Sequence, residues 1–178
     1  MPLALIDRAA RLLSDASIPV VILPGNHDCL GAGPVYRRGG IADVANVHVI
    51  GVSAEEAVLL PEHDLEVWGR AHWDYRNMSP LRQAPPRTTR LQIAMAHGHW
   101  VKSPDDRHRG WLIRGEEIAA TQADYVALGH WPQDERVTGS TAVPAYYSGS
   151  PDLAGTVNVV RLDGRGDVQV SRAPLSAD

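Results

Sequence analysis

The chain has 178 residues, 44% of them hydrophobic, which suffices for the core of one ordinary domain without disulfides or a structural metal. Lysine and arginine number 17 and aspartate and glutamate 21, a formal charge of −4 with both signs scattered, so neither a nucleic-acid stripe nor a membrane-binding face is written into the composition. The single cysteine, Cys29, excludes an internal disulfide framework. With a charge as early as Asp7 and no long apolar run, it points to a cytoplasmic, unexported protein with no membrane span.

Leu5, Ile6, Ala9, Leu12 and Leu13 recur at three- and four-residue spacing, with arginines between them, which predicts an amphipathic helix over 3–13. Ser14, Ser17 and Pro19 end it. Val20-Val21-Ile22-Leu23 then reads as a short strand buried on both faces and stopped by Pro24-Gly25. Further strands are predicted over 48–52, 57–60, 65–69, 91–96 and 125–129, with one helix around 116–121. After Pro144 the runs 145–148, 156–162 and 167–172, the last two joined by Asp163-Gly164-Arg165-Gly166, read as a terminal β-meander. This alternation predicts a mixed α/β sheet system. Residues 82–89, with Pro85-Pro86, read as a surface loop and not a linker, so 1–178 is taken as a single domain. The cluster Asp105-Asp106-Arg107-His108-Arg109 nearly cancels its own charge and reads as a solvated loop, with at most a role at a site rim.

Chemistry concentrates at strand ends. Leu23-Pro24-Gly25-Asn26-His27-Asp28 sets an amide, an imidazole and a carboxylate just after a buried strand, where ligands bind in open α/β sheets. Alone, Gly-Asn-His-Asp is equally a turn. Two more strands repeat the placement, one ending in His97-Gly98-His99 and one in Gly129-His130. Three histidine-bearing strand ends, with glycines permitting close backbone approach, are poorly explained by packing and point to a metal or phosphate site.

Pro-Gly-Asn-His-Asp, then His-Gly-His, then Ala-Leu-Gly-His, then Tyr147-Ser148-Gly149-Ser150-Pro151 is similar to the ordered motif series of the calcineurin-like metallophosphoesterases, over roughly residues 3–172. The resemblance implies a four-layer α/β/β/α sandwich with mixed β-sheets and metal-dependent hydrolysis of phosphate esters. It makes Asn26, through its side-chain oxygen, and the imidazoles of His97 and His130 ligands of one metal, usually called the second. His27 is then the residue near the scissile bond, stabilising developing charge or protonating the leaving oxygen. Asp28 is implied to orient the His27 loop. The cofactor implied is a divalent transition metal: manganese, iron, nickel or zinc.

The series is incomplete. Asp-x-His and Gly-Asp, which the family carries ahead of the Asn-His motif, are absent from this chain, so the first βαβ unit is lacking and the sandwich is incomplete. Pro132 stands where Gly-His-x-His has its last histidine, and it has no ligand atom. Asp-x-His and that histidine serve the first metal of the family. Four explanations compete: a mononuclear enzyme, a site rebuilt from Cys29, His72, Asp74, His99 or His108, ligands borrowed from another subunit, or an inactive remnant. His99 is the best placed of the extra residues and is taken as a further metal or phosphate contact. The open edge left beside the Val20 strand predicts a homo-oligomer formed through that edge or through the first helix.

The three His-Trp pairs, at 72–73, 99–100 and 130–131, either pack their loops or wall a pocket for an aromatic or nucleotide-like substrate. Of Tyr146 and Tyr147, strand alternation sends only one inward. The overall reading is a phosphoesterase, phosphodiesters preferred, acting on a small phosphate ester. Its alternatives are a non-catalytic metal- or phosphate-binding remnant and a nuclease component, the last disfavoured by the lack of a basic stripe.

Overall fold

The computed structural model describes residues 2–31, 35–103, 105–106, 109–137, 142–164 and 167–175. Helix α1 (Leu3–Asp15) forms over the amphipathic run and lays Ile6 into a small core with β1 (Val20–Ile22), α2 (Val35–Arg38) and β2 (Val47–Val49). Only part of the apolar pattern faces that core: Ile6, Ala9, Ala10 and Leu13 pack inward, whereas Leu5 and Leu12 are more than half exposed. The amide of Asn46 donates to the carbonyls of Leu13, Ala16 and Ile18, which satisfies the end of α1 and ties it to the turn before β2.

Strands β1 and β2 pair in parallel, Val20 against Val47 through Ile22 against Val49. Among the described residues β1 has no second neighbour. Val20, Val21 and Ile22 are therefore half-buried instead of enclosed on both faces as their composition predicts. Gly51, at φ +82°, turns the chain where a strand to residue 52 is expected, so β2 stops at Val49.

The larger sheet begins with β3 (Ala57–Leu60), β4 (Leu65–Gly69) and β5 (Leu91–His97). The chain then passes through β6 (His99–Trp100), β7 (Leu112–Ile113) and α3 (Gly115–Thr121) to β8 (Tyr125–Gly129), β9 (Glu135–Arg136) and β10 (Ala145–Tyr147). Six strands pair in the order β3-β4-β5-β8-β10-β9, with β4, β5, β8 and β10 parallel and antiparallel strands at both edges. The architecture is thus mixed α/β with mixed sheets. In β5 burial alternates: Gln92, Ala94 and Ala96 enter the main core, which holds Trp68, Ile113, Ile118 and Tyr147. Leu91, Ile93, Met95 and His97 face the other way, and Leu23 lines a cavity of about 160 Å³ with Met95 and His97.

The predicted terminal meander divides in two. β10 is drawn into the large sheet as a parallel neighbour of β8, Tyr146 opposite Ala127. After α4 (Pro151–Ala154), β11 (Thr156–Leu162) and β12 (Val168–Pro174) pair, among the described residues, only with each other. No helix among the described residues is long and apolar enough to cross a membrane.

Candidate metal and phosphate site

Strands β5 and β8 run side by side in parallel, so the residues that end them emerge together: His97 is opposite Gly129, with His130 next in the chain. The loop after β1 arrives from the other sheet. Its Asn26 is 5% exposed, and Nε2–H of His97 donates to the Asn26 side-chain oxygen at 2.7 Å. The rings of His97 and His130 lie 5.3 Å apart between centroids. The structure therefore brings Asn26, His97 and His130 to one place, although β1 lies in a different sheet from the strands that carry the two histidines.

Two glycines make this approach possible. A Cβ at Gly25 would sit 2.5 Å from Cε1 of His97, and one at Gly129 3.0 Å from its Nδ1, so the imidazole is held between two bare backbones. Burial, with the His72 and His130 imidazoles adding repulsion, pulls the pKa of His97 down to about 4. Burial first, then the neighbouring His99 and His72, lowers His130 below the ordinary imidazole range. Both are neutral near pH 7, the form that binds metal. His130 takes φ +102°, a backbone conformation that a histidine adopts only where surrounding structure imposes it, and its side chain is partly open to solvent.

His27 is exposed at the mouth of this cluster. Asp28 turns away from it. One of its oxygens accepts the N–H of Gly25 at 2.8 Å and the other accepts the hydroxyl of Tyr36 in a short hydrogen bond. The carboxylate thus fixes the loop that carries Asn26 and His27. Desolvation, reinforced by Asp28, raises the Tyr36 phenol far above its ordinary pKa, so it stays a donor.

The Trp73 and Tyr75 rings are 63% and 65% exposed, while His72, expected only as one of several residues that could rebuild a site, is fully buried. Its Nε2–H donates to the carbonyl of His97 at 2.7 Å, its backbone N–H donates to Pro24, and its carbonyl accepts from Leu30. It pins the Asn26 loop to the end of β5, and its Nδ1 is buried without a hydrogen-bond partner. Trp111, absent from the predicted set, stands edge-on to both His72 and His130 at 5.2 and 5.9 Å. It is held there by its indole N–H on the Arg76 carbonyl. Trp111 follows no strand-end pattern and no sequence signal marked it, and the sequence marked His72 as a possible ligand, not as a buried support.

The remaining candidates separate. His99 is 8% exposed, 6.4 Å from His130 between ring centroids, with Nε2 3.4 Å from an Asp106 oxygen. Asp106 accepts the backbone N–H groups of Lys102 and Ser103, the Ser103 bond being the main reason that its pKa is lowered, so the charge cluster includes an ordered residue at the rim. Asp74 is partly exposed and accepts from the Arg76 N–H. Cys29 is half-buried, and His108 lies outside the described residues. Tyr147 is the inward tyrosine: its hydroxyl donates to the Gly98 carbonyl at 2.7 Å and accepts the Trp100 N–H at 3.0 Å, bracing the His97-Gly98-His99 turn. Tyr146 stacks on Tyr125.

Among the described residues, no three His, Cys, Asp or Glu side chains are gathered as a metal cage. The set that does converge is one amide oxygen and two neutral imidazoles. Its chemistry suits a borderline divalent cation, and the 2.7 Å between Asn26 and His97 donor atoms is near the roughly 3 Å that two ~2.1 Å bonds at right angles would set. Residues 2–134 match the family model described as calcineurin-like phosphoesterase. No curated protein matches the chain.

Proposed function

The chain belongs to the calcineurin-like phosphoesterase family, and on that premise we propose that it hydrolyses a phosphodiester at the site formed by Asn26, His27, His97 and His130. The observation that carries this reading is the 2.7 Å contact between Asn26 and His97: two elements from different sheets meet through ligand-type atoms, and the shared proton is what a bound cation would displace. Asn26, His97 and His130 hold the metal, with manganese, iron, nickel and zinc as its candidates. When bound, such an ion supplies Lewis-acid polarisation of phosphoryl oxygens and lowers the pKa of water.

The protein's own groups do the rest. His27, exposed beside the ligand set, stabilises charge on the transferring phosphoryl group or protonates the leaving oxygen. Asp28 acts as a positioning residue for that loop through Gly25 and Tyr36. Gly25 and Gly129 hold His97 in place, and the buried His72 fixes the carbonyl at the end of β5. We read residues 1–178 as one cytoplasmic domain, a sequence in which the family's Asp-x-His and Gly-Asp motifs do not occur. The exposed Leu3, Leu5, Leu12 and Ile18 support a homo-oligomer whose contact covers α1 and the free side of β1.

Metal analysis combined with turnover of bis(p-nitrophenyl) phosphate tests the activity. With one of the four metals the expected result is hydrolysis, reduced roughly 10²-fold or more in His27→Ala with metal content retained, and lost together with metal in His130→Ala. Absence of activity with all four, and a His130→Ala variant that still binds metal normally, would favour the second reading, a non-catalytic remnant. The observation on that side is Pro132, whose carbonyl is used by Ser150 and which offers no ligand atom where the family carries a histidine.

A further inference from the structure

Beside the ligand set, and separated from His130 by the His99 ring, lies a cavity of about 110 Å³, room for one planar ring system. Two of the three His-Trp pairs build it. Trp100, 8% exposed, and Trp131 supply its aromatic walls, and His99 stands edge-on to Trp131 at 6.0 Å. The third pair does not contribute, since Trp73 faces solvent.

The polar lining is balanced. Lys102 lies 5.6 Å over the Trp131 ring and is paired with Glu135 at 2.8 Å; Arg109 is 3.7 Å from Asp106. Among the described residues of the lining two cations and two carboxylates cancel, so the charges they present do not favour a second phosphate or a free carboxylate. A hydrocarbon ring would leave both signs unused. The occupant that fits is flat, uncharged and apolar on its faces, with hydrogen-bond donors and acceptors on its edge, which is the chemistry of a nucleobase. A phosphate at His130 would be one ring away, the distance spanned by His99.

Resting on the reading of His130 as part of the phosphate site, we infer that the cavity between His99, Trp100 and Trp131 is the subsite for the base of a nucleoside phosphate ester. Trp131 and Trp100 stack on the base faces, while Glu135 and Lys102 meet its edge.

Binding of adenosine, guanosine, cytidine and uridine to the metal-free protein, followed by saturation-transfer NMR, reads the subsite without any catalysis. At least one nucleoside is expected to bind with transfer strongest at the base protons. Binding should weaken about tenfold in Trp131→Ala, in line with one lost stacking contact, and stay unchanged in Trp73→Ala. Transfer that is uniform or dominated by the ribose overturns the subsite even if Trp131→Ala cannot be folded. With metal, kcat/KM for the p-nitrophenyl ester of thymidine 5′-phosphate should exceed that for methyl p-nitrophenyl phosphate, and the ratio should fall towards one in Trp131→Ala. Nucleoside binding with no ester hydrolysed leaves the subsite standing and removes the phosphodiesterase reading. Hydrolysis with a ratio of one and no nucleoside bound does the reverse.

Discussion

His97 is the residue on which the site turns, and its surroundings explain why glycine flanks it in two separate segments. A methyl group at Gly25 would have to displace the imidazole itself, because its nearest atoms all belong to that ring. Gly25→Ala should therefore weaken metal binding about 10- to 100-fold, as loss of a supporting contact typically does, and calorimetric titration with manganese or zinc checks it. Tyr36→Phe removes the hydroxyl that donates to Asp28 and should cost about 1.5–3 kcal/mol, the usual range for a hydrogen bond to a charged group, measured by urea denaturation. The sign with pH follows from the raised phenol pKa: the folded protein keeps a proton that the unfolded chain releases near pH 10. The Tyr36 contribution is complete below pH 10 and is lost as pH rises above it, so Tyr36→Phe should flatten the alkaline fall in stability. Asn26, His97 and His130 were legible because each sits in a short motif after an apolar run. The supporting place of His72, named only as a possible ligand, and that of Trp111 were not, because both arise only when loops distant in sequence fold over the end of β5.

Among the elements, strand positions were written in apolar runs and turn residues, and most of them formed where predicted. Their partners were not, since a ladder is a property of two segments. Nothing local distinguishes β10, which joins β8, from β11, which pairs with β12. The two-residue strands β6, β7 and β9 are too short to carry any periodicity. Helix α1 shows the same limit, for spacing alone does not say which leucines face inward. Ile6, fully buried, should cost about 2–5 kcal/mol when changed to Ala, whereas Leu59→Ala, at an exposed position of β3, should stay within about 0.5 kcal/mol. The exposed side of α1 carries the oligomer prediction. Light scattering should show an oligomer that the paired change Leu5→Lys and Leu12→Lys converts to a monomer; a monomeric wild type contradicts it.

Across the whole molecule, the site lies where the carboxyl ends of two strands of the large sheet meet the loop leaving the small one. The mixed α/β class was readable from the alternation of apolar strand runs with helical spacing, and the family from the order of its motifs. How the strands divide between sheets was not readable, and it is the division that makes Asn26 a bridge between them. The same arrangement sets the aromatic cavity beside His99 one ring from His130, so on the proposed reading substrate choice and chemistry share one wall. The account stands on Asn26, His97 and His130 forming a metal site, and anomalous diffraction from a crystal grown with manganese or zinc tests that directly. It predicts an anomalous peak bonded to the Asn26 side-chain oxygen and to the imidazoles of His97 and His130. A bound ion elsewhere, or no peak between those three side chains at saturating metal, would contradict it.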